Sequence, residues 1–340
     1  MLRFVLGTVA TFLIGAFLLA VTGHDPVAAY SALFRGALGS DSAVAATIDK
    51  AVPIGLCAIG ISLAYRGGLW NIGAEGQLYF GAFAAAGFGL AIPETTPHAL
   101  GIAGVLVCGF AAGAAWASIA AAAKVWLGVN EILSTLMLNY VSILWVDYLV
   151  SGPWADPVTF SFPFSPPLPD AARLPAPIAG IDLGGVITLV AAAALFAVDK
   201  GLRWGYELRV SGDAPRAAAY GGIAAAKITA SALAIAGALA GLAGAIEVAG
   251  TTGRLQSGLS PGYGFIGILV AWLARGSPLG ILGGSLVYAG LLNGGFSLQV
   301  SGVPSAIGMV LQAVLLICVL TTFSLGRYRL RFVPAAGAAP

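Results

Sequence analysis

The chain has 340 residues, of which 59% are hydrophobic and only 9% charged, with a mean hydropathy of +0.94. A soluble domain carries about 25% charged residues, so this composition excludes a chain covered mainly by water and makes lipid its solvent. The formal charge of +2 excludes nothing as a total; where the charges fall along the chain is informative.

A membrane-spanning helix needs about 20 apolar residues at about 1.5 Å rise each. Ten runs meet that need: 4–22, 47–65, 71–90, 99–123, 128–150, 181–198, 224–247, 260–274, 278–297 and 303–323. The first follows Arg3 and outruns the apolar core of a signal peptide, about 7–15 residues, so it reads as an uncleaved first helix. The fold class expected is all-α, a polytopic transmembrane helical bundle of about ten spans. It forms one transmembrane domain over 1–340, with two inverted five-helix halves at 1–150 and 181–330.

The third run opens on Asn71-Ile-Gly-Ala-Glu-Gly-Gln77, too polar and glycine-rich for an ordinary span. Glu75 lies one turn into it, either as a partner of Arg66 or as a polar group lining a path. The fifth opens on Asn130 and Glu131, where a carboxylate favours the positive helix end, and carries Asn139. Near its far end Asp147 lies between Trp145 and Tyr148, where interfacial exposure accounts for it. Each acid at membrane depth costs roughly 2.5–3.5 kcal/mol, so each needs a structural or functional reason.

Segment 151–180 holds Pro153, Pro157, Pro163, Pro166, Pro167 and Pro169 beside Trp154, Phe160, Phe162 and Phe164. Proline fixes extended or turn backbone without a donor to satisfy, which suits a capping loop on the outer surface. The inner loop 199–223 is rich in charge. Within it Asp213 is a fitting N-cap, Pro215 fits a first turn and Gly221–Gly222 stop the chain, predicting a two-turn helix over 214–220.

The seventh run places Gly237, Gly241 and Gly244 on one face for close helix packing, and it ends on Glu247. The eighth follows Ser257-Gly-Leu-Ser-Pro-Gly-Tyr-Gly264 and keeps only a short apolar stretch, Phe265 to Arg275, of about 16 Å. Helices interrupted at corresponding places in two inverted halves point to a translocation path.

Basic residues set the orientation. With the N-terminus in the cytoplasm, the inner segments hold Arg3, Arg66, Lys124, Lys200, Arg203, Arg209, Arg216, Lys227, Arg275, Arg327, Arg329 and Arg331. The outer segments hold Arg35, Lys50, Arg173 and Arg254. Both termini are then cytoplasmic.

Cys57, Cys108 and Cys318 lie in apolar runs as small hydrophobes, and His24 and His98 are the two histidines. A metal centre or histidine-based catalysis has little to build with. Lys50, Lys124, Lys200 and Lys227 all lack a preceding glycine, so there is no P-loop and ATP hydrolysis has no place on this chain.

Four stretches in order carry a resemblance: Arg66-Gly-Gly-Leu-Trp-Asn-Ile-Gly-Ala-Glu-Gly-Gln-Leu-Tyr-Phe-Gly81, Asn130 to Tyr140, Gly205 to Ile223, and Gly262 to Ala271. Together they resemble the nucleoside and simple-sugar branch of bacterial ABC importer permeases, relatives of the ribose and branched-chain amino-acid permeases. The resemblance implies that 205–223 supplies a coupling helix, with Gly212, Asp213, Arg216, Ala217, Ala218, Tyr220 and Gly221 at the ATPase contact. Ser211 and Asp213 depart from the small and Asn-like residues expected there, though Asp213 can still cap. Expected partners are an ABC ATPase carrying ATP and magnesium, a second permease subunit and an external substrate-binding lipoprotein. Lipid surrounds the chain, nucleic acid is not expected, and no cofactor is expected on the chain itself.

Path candidates are Asn71, Glu75, Gln77, Asn139, Tyr263 and Phe265, a set rich in amides and aromatic rings that suits an uncharged, hydroxyl-bearing solute such as a nucleoside or simple sugar. The competing reading is a stand-alone secondary transporter driven by protons or sodium, with Glu75 or Glu131 as the ion site.

Overall fold

The computed structural model describes residues 2–159, 162–175 and 183–300, with scattered positions between 303 and 317. The helices, in chain order, are α1 (Leu2–Val21), α2 (Pro26–Leu38), α3 (Asp41–Arg66), α4 (Ala74–Ala91), α5 (His98–Leu127) and α6 (Glu131–Ser151). They continue as α7 (Leu183–Lys200), α8 (Arg203–Asp213), α9 (Pro215–Tyr220), α10 (Ala225–Ile246), α11 (Tyr263–Leu273) and α12 (Pro278–Val300). A π-helical turn, Glu247–Thr252, extends α10. No strand occurs among the described residues; the only pairing of that kind there is an isolated antiparallel bridge between Phe164 and Gln256.

Among the described residues six helices are long and apolar enough to cross a membrane: α3, α5, α6, α7, α12 and α10 with its π-turn. The described apolar part of α1, Phe12–Val21, and α11 are shorter. Most of the expected span 303–323, Cys318, Phe160 and the basic 327–331 stretch lie outside the described residues.

Two helices were absent from the sequence expectations. Residues 26–38 form α2, whose first turn is capped by the Asp25 carboxylate accepting from Val27 N at 2.9 Å, with Pro26 at its start. Its buried Ala29, Leu33 and Ala37 recur every fourth residue, one stripe of a half-buried helix. Residues 203–213 form α8, which buries Gly205 and Leu208. Both are too short to span a bilayer, so a search for long apolar runs passes over them. The 214–220 helix is also adjusted. It runs Pro215–Tyr220, Ala214 sits at its cap position, and Asp213 ends α8 rather than capping α9. The glycine stop holds: Gly221 follows the last turn and Gly222 has a left-handed φ of 75°.

The chain packs as two units, residues 1–43 with 290–340, and residues 44–289. In the first, Leu19, Ala29, Leu33, Leu298 and Val303 form a buried cluster. There the Tyr30 hydroxyl donates to Phe12 O at 2.8 Å, and Asn293 Nδ2 donates to Gly36 O at 3.0 Å.

In the second unit α10 is the central helix, buried along most of its length against α5 and α4. A Cβ on Gly241 would sit 2.7 Å from Gly113 Cα, and one on Gly113 would sit 2.6 Å from Gly241 Cα. The two backbones therefore touch with hydrogen as the only side chain between them. In lipid, where apolar burial drives little, such close approach is a main source of helix adhesion.

The described part of the proline-rich segment is a strap. Ser165 N donates to Leu255 O at 2.9 Å, Leu168 N to Gly253 O at 2.9 Å, Leu174 N to Ala249 O at 2.9 Å, and Ser257 N to Pro163 O at 3.1 Å. Arg254 lies over the Phe164 ring at 5.3 Å. The irregular stretch between α10 and α11 thus finds backbone partners, as buried backbone must.

Candidate functional site

Two interrupted helices meet in the second unit. Residues 67–73 lead irregularly from α3 into α4, and amide side chains satisfy that backbone. Asn71 Oδ1 accepts from Gly73 N at 3.0 Å, and Asn71 and Gln77 exchange two side-chain bonds of 2.9 and 3.0 Å. Asn139 on α6 accepts from Gly76 N at 2.8 Å and donates to Ile72 O at 2.8 Å. Thr135, one turn earlier, accepts from Ile72 N at 3.3 Å. Asn71, Gln77 and Asn139 are thus brought together and buried, with their amides holding the chain in its break.

Glu75 is 2% exposed. Its carboxylate accepts from Gly264 N at 2.6 Å, with the Ser260 hydroxyl and the Phe265 amide as further donors. The start of α11 therefore finds on α4 the acceptor that its first backbone donors lack within their own helix. Ser260 also accepts from Gly262 N at 3.1 Å and Tyr263 N at 2.8 Å. A Cβ on Gly264 would lie 2.6 Å from Glu75 Cα, so glycine is what lets the two breaks touch. Arg66 is not the partner of Glu75; it forms its ion pair with Asp199. Tyr263 is buried beside this junction, while Phe265 is exposed on α11.

Between α3, the 69–72 stretch and α11 lies a cleft of about 30 Å³, enough to hold at least one water. Tyr65, Trp70 and Trp272 supply aromatic walls, and Ser62 and Asn71 supply polar groups. Tyr65 and Trp70 meet edge to face at 5.3 Å. The Ser62 hydroxyl is buried with no hydrogen-bond partner among the described residues.

The coupling candidates lie together on α8–α9. Asp213, Arg216, Ala217, Tyr220 and Gly221 are exposed, Tyr220 to 95%. Ala218 is buried and seats the short helix, and Gly212 packs against the 66–68 turn. Glu131 pairs with Lys124 at 2.6 Å, below an Asn130 cap that accepts from Ile132 N at 2.9 Å. Asp147 differs from the exposed residue expected, for its Oδ1 is enclosed without a hydrogen-bond partner among the described residues. Glu247 is buried in the π-turn. Sequence reasoning missed Thr135, Ser260, Asp199 and the strap serine, Ser165. Ser260, three residues ahead of Tyr263, had a legible capping position.

Irregular backbone buried within an apolar helical chain, and bonded in part by side chains from neighbouring helices, is what lines the path in many membrane transport proteins. The comparisons say which. The chain belongs to the family described as "branched-chain amino acid transport system / permease component", which matches residues 43–320. It is 33% identical over 339 residues to the glucose ABC transporter permease protein TsgB13 of Haloferax volcanii, covering 96% of this chain and 88% of that one. It is 32% identical over 332 residues to the guanosine ABC transporter permease protein NupP of Bacillus subtilis, covering 94% and 91%. With the nucleoside ABC transporter permease protein NupB of Lactococcus lactis the identity is 28% over 329 residues, covering 92% and 88%. No solved structure matches. The chain is an integral membrane permease component of an ABC transporter, and its role is transport.

Proposed function

We propose that this chain is one of two permease subunits of an ABC importer in the cytoplasmic membrane, moving nucleosides or simple sugars, with nucleosides first. It crosses the bilayer about ten times in two inverted halves with both termini in the cytoplasm. An external lipoprotein delivers the solute, and a separate ATPase binding ATP and magnesium drives it. The α4–α11 junction and the adjoining aromatic cleft line the path. An uncharged solute suits walls of amide, hydroxyl and ring, and the relatives bearing glucose, guanosine and nucleoside names are of that solute class.

The observation that carries the reading is α9, a six-residue helix held by one buried alanine, with Arg216 and Tyr220 projecting into solvent. An exposed aromatic beside an arginine is the side-chain pair favoured at protein contacts. Tagged full-length chain purified from its native membrane will bring down an ATPase. Proteoliposomes of the full complex, with its receptor, will accumulate radiolabelled guanosine or glucose only when ATP is enclosed with the motor. Uptake that ignores ATP and follows a proton or sodium gradient would refute the proposal.

A further inference from the structure

Arg66 occupies a place that the transport reading does not itself require. It ends α3, and its guanidinium is shared between two elements. Nη1 pairs with Asp199 at the end of α7, and Nη2 donates to Gly276 O just past α11. The planar fork of arginine can serve two acceptors at once, which a lysine ammonium on a single point cannot do as well.

The same residue lies under the helix that leads to α9. Arg209 on α8 donates to Asp199 O at 2.8 Å and stands 3.5 Å from its carboxylate. A Cβ on Gly212 would sit 2.8 Å from Gly68 N, and one on Gly67 would sit 2.7 Å from Leu208 Cδ1. Thus α8 rests directly on the 66–68 backbone, and Ala214 alone separates it from α9. Displacement of α9 has a short, tightly packed route to Arg66.

From Arg66 the chain runs nine residues to Glu75, which holds the opposite end of α11 through Gly264. One stretch, 66–75, therefore grips α11 at both ends, Arg66 past its last turn and Glu75 at its first. At eleven residues α11 is about 16 Å long, short enough to shift as one piece. The aromatic cleft lies inside this bracket. Ser62, its unbonded hydroxyl, is beside Gly276, where a Cβ would lie 3.1 Å from both Ser62 Oγ and Arg66 Nη2.

We infer that Arg66 is a positioning residue of transport: through its fork on Asp199 and Gly276 it passes movement of α9 to α11, and so sets the width of the cleft at Ser62. The inference rests on α9 being the ATPase contact. A structural pair with no such role would hold the fold without making the cleft answer to nucleotide.

The test uses the full complex in nanodiscs, with Cys57, Cys108 and Cys318 replaced by alanine and Ser62→Cys as reporter. The readout is the rate of modification by the thiol reagent MTSET, with ADP and with ATP plus vanadate. With Arg66 intact the two rates will differ by about fivefold or more, the lower range of coupling between sites, and in R66Q by less than about twofold. R66K, which keeps the charge and loses the fork, will fall between. ATPase co-purification and basal hydrolysis will stay near the unsubstituted values in R66Q. If R66Q loses its ATPase, D199N decides by the same criterion, since it keeps the side-chain shape and removes the charge. An equal nucleotide effect in R66Q or D199N, or none with Arg66 intact, overturns the inference. Absence of an ATPase from the unsubstituted preparation is a different result, and it defeats the permease reading itself.

Discussion

Glu75→Ala isolates what the junction contributes. The substitution strands Gly264 N–H, whose acceptor is 2.6 Å away in a site 2% exposed, together with the Ser260 and Phe265 donors. Leaving a buried donor unsatisfied costs about 1–3 kcal/mol, and here several donors lose their acceptor together. Partial rehydration recovers some of this, so the expected loss is about 3 kcal/mol, or roughly 150-fold in the unfolding constant. Glu75→Gln keeps an oxygen acceptor of the same reach and should lose only about 1 kcal/mol, because one of the two carboxyl oxygens is replaced by an amide donor. Reversible unfolding of the detergent-solubilised chain by SDS titration, followed by circular dichroism, measures both. Equal stability for the alanine and glutamine variants, or an alanine variant as stable as the parent, would refute the capping role.

Other substitutions separate seat from contact and packing from bonding. Tyr220→Ala and Arg216→Glu should each weaken ATPase association about tenfold, near 1.4 kcal/mol, with unchanged thermal unfolding, as titrated in detergent by light scattering. Ala218→Glu, being buried, should instead lower the melting temperature of the chain measured by scanning fluorimetry. Gly241→Leu forces apart the α5 and α10 backbones and should cost about 3 kcal/mol, read in the same SDS titration; stability equal to the parent would contradict the contact. Ser165→Ala removes the acceptor for Leu255 N at 3.0 Å and should cost about 1–2 kcal/mol. It should also speed cleavage after Arg173 in a timed trypsin digest.

The long apolar helices were legible because a bilayer imposes length and hydropathy together, and α3, α5, α6, α7, α10 and α12 follow the expected runs within a few residues at most ends. The breaks ahead of α4 and α11 were legible from glycine and polar residues placed where an ordinary span has neither. That the breaks meet was not, since Glu75 and Gly264 are 189 residues apart and nothing local to either names the other. The Arg66–Asp199 pair escaped for the same reason. Ala218 looked like a contact residue because a helix of six residues shows too little periodicity to tell its buried face from its exposed one.

The strap has a mechanical consequence. Its four main-chain bonds to 249–257 act like stitches along a hem, and at about 0.5–1.5 kcal/mol each they would cost several kcal/mol to unpick together. The connector feeding α11 from α10 consequently has little slack at that edge. Past the last stitch, at Ser257, residues 258–262 alone lie before α11 begins at Tyr263, so movement at the head of that helix is taken up in that run.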